Sequence, residues 1–543
     1  MMFKERIIAI KKFPTLLTVF SLLSGFGYLF MVNQEKFSST GTTYNPLELS
    51  SNLYRSQYRF TNNSSNVEII VAFSEDVEPH SRSRFCPIDQ VDNDSITWDS
   101  KLWQRIEYEN IYLWTGYYDD RYSFRGNSYH FIRIISIVRE SLSIDLTCYL
   151  WTQNSSDTSS GAITTPAIGT ELWLDIWGKG SSVTLYKAYL LSCLVPDNIH
   201  YKVTGVSISP HSCSKAETYI PIKPPPIPSR SPSSLTLSPS DLWLPNKKPF
   251  AVCVKALDFT LDISNRLIEW LELQFILGAD VVNIYLYSVH PDTARLLDHY
   301  VDQGKVNLYQ LDLPGQLPND PVERSQFLQT NVWQKRRLEL IPYNDCLYRH
   351  IYSHQFLVLV DIDEVIVPVK DYDWKSLLTR VLSNDLKSIE VYPSFSVQNT
   401  YYLESYSQSS STSPQPLTNK QLTTKGHLSS YLYMLRHVNR SINFSIPGYA
   451  VKSFISTNTS LALFNHYTLF PLYPTMRRNA LISTTLAQLN HYKSECPRTM
   501  SNECTRRFTK HWKVDQILWK YKKPLIGAIN QTVKLIKSNS SSS

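Results

Sequence analysis

Residues 356–368 read FLVLVDIDEVIVP: an apolar run, three carboxylates within four positions, and a second apolar run. The first run has the composition of a buried strand. Three neighbouring carboxylates between apolar segments are costly unless a cation lies against them. The stretch therefore predicts a core strand that ends in a charged site.

Strand-like and helix-like segments alternate before this stretch. The apolar runs FAVCVKAL, VVNIYLYS and KVNLYQLDL are typical of strands, and ISNRLIEWLELQFILG, TARLLDHYVDQG and QTNVWQKRRLELIPYNDCLYRHIY are typical of helices. This alternation favours a parallel α/β sheet. The carboxylates then follow a central strand at its carboxyl end, where open α/β sheets bind ligands.

The rest of the chain divides by composition. Residues 66–220 contain short aromatic and β-branched runs between turn-rich clusters, which predicts a mostly β companion domain. Residues 221–249 are rich in proline and predict a semi-rigid linker. We assign residues 250–510 to the α/β domain and 511–543 to a C-terminal tail.

The N-terminus predicts a membrane anchor. Residues 13–32 carry no charge, and a basic tail, residues 1–12, precedes them. About 20 apolar residues span a bilayer as a helix, and positive residues stay on the cytoplasmic side. We expect a type II signal anchor followed by a stem at 33–65; a cleaved signal peptide is the alternative, although its apolar region is shorter.

Two features agree with a translocated chain. Sequons for N-glycosylation are spread over the sequence after the predicted anchor, at Asn62, Asn63, Asn93, Asn154, Asn439, Asn443, Asn458, Asn530 and Asn539. The eight cysteines contain no CxxC pair, which favours disulfides over zinc ligation. A formal charge of +7 over 543 residues, without a dense basic face, argues against nucleic acid as a partner.

The pair Asp361 and Asp363 indicates a metal site. On an extended backbone, residues two apart point the same way, so both carboxylates project together and Ile362 turns into the core. A hard divalent cation, Mg²⁺ or Mn²⁺, would neutralise them and bridge a phosphate-bearing substrate. The alternative is a solvated pair that caps a turn. A D-x-D phosphohydrolase is disfavoured because no second acidic cluster follows and the motif comes late in the domain.

An ordered set of segments resembles glycosyltransferase family 92. The resemblance covers roughly residues 105–510. Its segments, in chain order, are IYLWTGYYDDR, HFIRIISIV, LLSCLVP, FAVCVKAL, IEWLELQFILGADVVNIYLY, YNDCLYRH, LVDIDEVIVP, VKSFIS, FNHYTL and LNHYKSEC.

The resemblance implies an inverting transferase with a GT-A, Rossmann-like fold, anchored in the Golgi membrane with its catalytic domain in the lumen. It also implies a UDP-sugar donor (UDP-galactose in characterised relatives), manganese or magnesium, and a glycan acceptor on a glycoprotein or glycolipid. A luminal lectin or adhesion protein that has lost activity is the non-enzyme alternative.

The resemblance also suggests roles for single residues. Asp361 and Asp363 resemble ligands of the metal and the nucleotide sugar, and Asp363 and Glu364 are the catalytic candidates. His466 or His491 resembles a late histidine that binds the metal, the alternative being an imidazole of the core or surface. Lys452 is a candidate for diphosphate binding, the alternative being a solvated lysine.

The catalytic base stays open among Glu364, Glu390, Glu404 and an acid of the C-terminal part. Lys493 stands where the family usually has arginine. Residues 404–426 form a polar insertion, which predicts a flexible lid or a disordered segment.

We expect a disulfide between Cys253 and Cys346, because the first strand of the α/β domain and the helix before the acidic strand can be neighbours. Two buried free thiols are the alternative. Cys496 and Cys504 are close enough in sequence to pair separately.

Overall fold

The computed structural model describes residues 83–88, 94, 96–106, 109–152, 161–174, 185–200, 202–223, 225, 242–383, 388–407, 431–496 and 501–540. All described residues belong to one compact unit of the chain, Glu75–Ser543. The predicted anchor at 13–32, the stem, and most of the linker and of the polar insertion lie outside the described residues. Within the described ranges, no helix combines the length and apolar character needed to cross a membrane.

The first sheet is antiparallel throughout. Its order is β2-β3-β4-β7-β6-β5-β8-β9, and β1 pairs with β6. Alternating or fully apolar runs, such as the buried centre of β4, explain why these segments form strands. The strands are β1 (Arg84–Cys86), β2 (Gln104–Ile106), β3 (Ile111–Phe124), β4 (Asn127–Arg139), β5 (Leu146–Thr152), β6 (Ala162–Glu171), β7 (Tyr186–Val195), β8 (Val203–Ser209) and β9 (Ile220–Pro221).

The remaining strands lie in the second half of the chain. They are β10 (Lys248–Phe259), β11 (Val281–Val289), β12 (Val306–Gln310), β13 (His354–Leu359), β14 (Glu364–Pro368), β15 (Ser394–Leu403), β16 (Asn439–Ser441), β17 (Val451–Ser456), β18 (Ser460–Leu463), β19 (Thr468–Pro471), β20 (Ala480–Leu481), β21 (Ala487–Lys493) and β22 (Trp512–Val514).

The helices are α1 (Ser264–Leu277), α2 (Pro291–Asp302), α3 (Pro321–Thr330), α4 (Val332–Leu338), α5 (Leu340–His350), α6 (Trp374–Ser383), α7 (Ser388–Val391), α8 (Tyr433–Arg436), α9 (Ser501–Phe508) and α10 (Lys522–Ser540). Short 3₁₀ turns occupy Asp197–Ile199, Glu404–Ser407 and Ile517–Tyr521.

The second sheet is mixed, with the order β12-β11-β10-β13-β17-β15-β21-β14. Strands β12, β11, β10 and β13 are parallel, so the predicted α/β alternation is confirmed for this half. Beyond β13 the pairing changes: β17 is antiparallel to β13 and β15, β21 is parallel to β15, and β14 is antiparallel to β21. The acidic motif follows β13, in the middle of this sheet.

Two local predictions differ from the structure. The long helix expected over QTNVWQKRRLELIPYNDCLYRHIY is divided, because Asn331 leaves helical geometry at φ −103° and ψ 64° and ends α3. The acidic motif is not extended: the backbone amide of Glu364 donates to the carbonyl of Asp361 at 2.9 Å. Asp361 to Glu364 therefore form a tight turn that lets β14 begin, and Ile362 packs against the core as expected.

The two sheets contact each other through α5. The buried carboxylate of Asp345 accepts hydrogen bonds from Tyr117 on β3 and from Tyr285 on β11, the latter at 2.6 Å. Arg121 on β3 donates to the carbonyl of Ser460 at 2.9 Å. Where one domain ends and the next begins stays a prediction.

Four disulfides join the cysteines in pairs: Cys86–Cys213, Cys148–Cys193, Cys253–Cys346 and Cys496–Cys504. The two predicted pairings are confirmed. The bridge from Cys253 to Cys346 ties β10 to α5, next to Asp345.

Candidate functional site

A cluster of carboxylates lies in the turn between β13 and β14. Asp361 and Asp363 remain partly exposed, whereas the Glu364 side chain is only 5% exposed. One oxygen of Glu364 accepts from the backbone amide of Asp361 at 3.0 Å, so Glu364 closes the turn from inside. Because β13 ends at the middle of the sheet, three other strands direct side chains at this turn.

Three lysines neutralise the carboxylates. Lys255 on β10 lies 3.2 Å from Asp361 Oδ2, and Lys452 on β17 lies 3.4 Å from the same oxygen. Lys493 at the end of β21 lies 2.5 Å from Asp363 Oδ2.

Two of these lysines also contact a glutamate. Lys452 also contacts Glu364 Oε2 at 3.3 Å, and Lys255 contacts Glu339 Oε1 at 3.4 Å. Lys452 is 3% exposed, whereas the side chains of Lys255 and Lys493 are 30% and 35% exposed. Lys452 is therefore an internal counter-ion, and the other two can reach a ligand.

His491 on β21 joins the cluster. Its Nδ1 lies 3.4 Å from Glu364 Oε1, and its Nε2 lies 3.7 Å from Asp363 Oδ2. The ring stacks on Tyr401 at a centroid distance of 5.0 Å, because β15 and β21 place these residues opposite each other.

The charges of the cluster shift its titration strongly. Burial alone would raise the pKa of Asp361, but the Lys255 and Lys452 ammonium groups outweigh burial and hold that pKa well below its usual range. Burial likewise opposes ionisation of Asp363, and His491 and Lys493 lower its pKa in spite of that. Both aspartates are therefore ionised at neutral pH.

His466 differs from His491. Its Nδ1 lies 2.7 Å from the carbonyl of Val451, next to Lys452, and no ion pair joins it to the carboxylates within the described residues. Burial lowers the pKa of His466 to about 3, so the ring is neutral. The structure brings Asp361, Asp363 and His491 together, and the metal role of His466 stays a prediction.

The cluster offers two buried atoms to a divalent cation. Among the residues that the structure describes, Asp361 Oδ1 and His491 Nε2 have no hydrogen-bond partner. Carboxylate oxygen and neutral imidazole nitrogen are ligands for Mn²⁺ and Mg²⁺ chemistry, so these unpaired atoms suit such an ion. In the part of the chain that the structure describes, however, no group of three or more His, Cys, Asp or Glu side chains stands in a metal-binding arrangement. Lys452 contacts both Asp361 and Glu364, and Lys493 contacts Asp363.

Some residues of the cluster were not identified in the sequence. Lys255 was the single charge within the strand-like run FAVCVKAL, and that position was a usable signal. Glu339 and Tyr401 gave no signal, because only the fold brings them to the turn. Lys493 was noted for its departure from the family, and the structure places its ammonium group on Asp363.

The chain was compared with known proteins. A family model described as glycosyltransferase family 92 matches residues 248–527. This range begins with β10 and ends within α10, so it contains the whole second sheet and the carboxylate cluster. A search of curated proteins found no match.

Proposed function

Because the chain belongs to glycosyltransferase family 92, we propose that it moves a hexose, galactose in our proposal, from a UDP-sugar to a glycan acceptor with inversion. The family implies a nucleotide-sugar donor and a glycan acceptor. The choice of galactose, the inverting course and the use of a metal are our own proposals.

The observation that carries the proposal is the cluster at the end of β13. Asp361 and Asp363 stay ionised in a partly buried turn, and within the described residues the buried atoms Asp361 Oδ1 and His491 Nε2 have no hydrogen-bond partner. A turn that only capped a strand in solvent would not need three lysines to neutralise it. The arrangement supports a site for a phosphate-bearing ligand.

A divalent ion, Mn²⁺ or Mg²⁺, would be held by Asp361, Asp363 and His491 after these side chains move, because no three such groups of the described residues stand in a metal-binding arrangement. When bound, the ion would supply Lewis-acid stabilisation of the departing diphosphate. Lys493 contacts Asp363 Oδ2, so the ammonium group has to move when that oxygen takes another partner.

The lysines have different roles in the proposal. Lys255 and Lys493 are about one-third exposed, and their ammonium groups can bind diphosphate oxygens. Lys452 is buried between Asp361 and Glu364, so it keeps both carboxylates ionised and fixed. Lys452 would therefore act on the diphosphate through these carboxylates, without touching it as the sequence predicted.

We further propose a Golgi location, with residues 13–32 as a type II anchor. A fluorescent tag at residue 1 would then face the cytosol. Protease added to intact Golgi vesicles should remove the tag, and survival of the tag would contradict this orientation.

The experiment for the proposed function measures UDP release by the purified full-length chain. UDP-galactose, UDP-glucose and two UDP-N-acetylhexosamines are each supplied with Mn²⁺ or with a chelator, and released N-glycans serve as acceptor. We expect UDP release with UDP-galactose that depends on Mn²⁺ and rises with acceptor. No release from any donor would contradict a transferase.

A further inference from the structure

The end of β15 lies beside the carboxylate cluster. β15 and β21 are parallel, and Leu403 is opposite Lys493, whose ammonium group contacts Asp363. Glu404 follows directly and begins the 3₁₀ turn Glu404–Ser407. Because paired strands lie about 5 Å apart, Glu404 is held at the sheet edge that carries the acidic turn.

The carboxylate of Glu404 contacts Tyr433 and Arg266. The hydroxyl of Tyr433 donates to Oε1 at 2.8 Å, and Arg266 on α1 lies 3.8 Å from the same oxygen. The Arg266 guanidinium lies 4.0 Å from the Tyr433 ring centroid, so the three side chains support each other. The Glu404 side chain is still 36% exposed and can reach a ligand.

Tyr433 is itself held firmly against the core. Glu269 on α1 accepts from the backbone amides of Met434 and Leu435 at 2.9 and 3.0 Å. The Tyr433 ring lies 6.2 Å from the ring of Tyr492, which follows His491 of the cluster. Glu404 is thus oriented by the hydroxyl of Tyr433, as a proton-transferring group must be oriented.

The other candidates for the base are placed less well. Glu364 is buried and contacts Lys452 and His491, so its oxygens hold the turn. Glu390 lies in α7, before β15, so the ten residues of that strand separate it from the cluster edge. That separation is about 30 Å for an extended strand. In the C-terminal part, Asp515 pairs with Arg440 at 2.6 Å.

We propose that Glu404 is the general base of the transfer, an inference that rests on the proposed function. The Glu404 carboxylate takes the proton from the acceptor hydroxyl. The acceptor oxygen forms a bond to the anomeric carbon of the donor sugar, and the bond from that carbon to the diphosphate oxygen breaks. Its electron pair leaves with the diphosphate, and the proton passes from Glu404 to solvent.

The test separates transfer from donor hydrolysis. The full-length wild type and the Glu404→Gln variant receive UDP-galactose with Mn²⁺, without acceptor or with released N-glycans. We expect Glu404→Gln to lose transfer by about a hundredfold or more, while its KM for UDP-galactose and its acceptor-free UDP release stay within about twofold. Glu404→Asp should retain part of the transfer, and Glu323→Gln, an exposed matched control on α3, should be unchanged.

A pH profile distinguishes a base from a structural residue. The charged or titratable groups beside Glu404 include Arg266, Tyr433 and His437, and burial lowers the pKa of His437. Tyr433→Phe keeps the ring under Arg266 but removes one hydrogen bond to the carboxylate. The acid limb of kcat should therefore move to higher pH, because the carboxylate loses a donor that favours its ionised form.

Several results would overturn the assignment. Transfer by Glu404→Gln within tenfold of wild type, or an acid limb that Tyr433→Phe does not move, contradicts a base at this position. Loss of transfer in Asp515→Asn, with transfer retained in Glu404→Gln, assigns the role elsewhere. A wild type that releases no UDP under any condition contradicts the proposed function, and the base with it.

Discussion

Asp361 and Asp363 show how a charge can be kept at a strand end. Burial disfavours both ionised forms, and the nearby lysines and His491 more than offset that cost. By the same reasoning, the ammonium group of Lys452 depends on its carboxylates. Burial would lower the pKa of Lys452, yet Asp361 and Glu364 raise it well above the ordinary value.

Replacing Lys452 with Met should destabilise the protein by about 3–5 kcal/mol, because the change leaves buried carboxylates without their counter-ion. Lys523→Met, at an exposed position of α10, is the matched control and should change stability by less than about 0.5 kcal/mol. Urea unfolding at pH 7.5 measures both. Equal stability of the two variants would show that Lys452 is not an internal counter-ion.

At the residue scale, the sequence identified the charged turn but not what surrounds it. Asp361 and Asp363 stand out because their neighbours are apolar. Glu404 looked like the first residue of a polar insertion, and only its register beside Lys493 brings it to the site. Contacts that join residues far apart in sequence leave no local pattern.

At the scale of elements, α1 connects the core to the site. Its residue Glu269 is fully buried, and burial raises the pKa of this carboxyl to about 7, although the Met434 and Leu435 amides donate to it. The helix pattern of α1 and its end at Gly278 (φ +115°) were predictable from sequence. The partner segment was not, because it follows residues 404–426 and has no strong periodicity of its own.

The raised pKa of Glu269 predicts a pH dependence of stability. The folded protein keeps a proton that the unfolded chain loses above about pH 4.5, so stability falls from about pH 4.5 to 7 and then levels. Glu269→Gln cannot titrate. The free energy of unfolding of wild type minus that of Glu269→Gln should therefore drop by about 3 kcal/mol between pH 4.5 and 8. A difference that does not vary with pH would contradict a protonated Glu269.

Removing the disulfide between β10 and α5 should destabilise the protein more than removing the disulfide between Cys496 and Cys504. Cys253 and Cys346 are 93 residues apart, and Cys496 and Cys504 are 8 apart. In the chain-entropy model, replacing the first pair by Ala should cost about 2 kcal/mol more stability than replacing the second. Thermal unfolding compares the variants.

Peptide mapping without reduction should find Cys253 joined to Cys346, and an alkylated free thiol at either would contradict the pairing.

At the scale of the whole molecule, the first sheet completes the packing of the second. Asp345 on α5 is fully buried and accepts from Tyr117 on β3, and Arg121 on the same strand donates to Ser460. The family match at 248–527 contains one side of these contacts only. The sequence predicted a mostly β first half and an α/β second half. For the second sheet it predicted only parallel pairing, because no local pattern indicates which strands pair antiparallel in a mixed sheet.

Removing residues 1–247 should therefore prevent folding, although the family-matched region remains. A chain of residues 75–543, which form one compact unit, is the matched control. Circular dichroism and thermal unfolding should show a cooperative transition for the chain 75–543 and none for the chain 248–543. A cooperative transition of 248–543 at the same Tm would show that the first sheet is dispensable for folding.

We propose that sugar transfer depends on the carboxylates after β13. The most direct measurement is the rate of galactose transfer from UDP-galactose to released N-glycans at saturating Mn²⁺, by wild type and Asp363→Asn. Asp298→Asn, an exposed aspartate on α2, is the control. We expect Asp363→Asn to keep less than about a tenth of the wild-type rate with unchanged circular dichroism, and Asp298→Asn to keep the full rate. An Asp363→Asn variant that transfers galactose above that level would contradict the account.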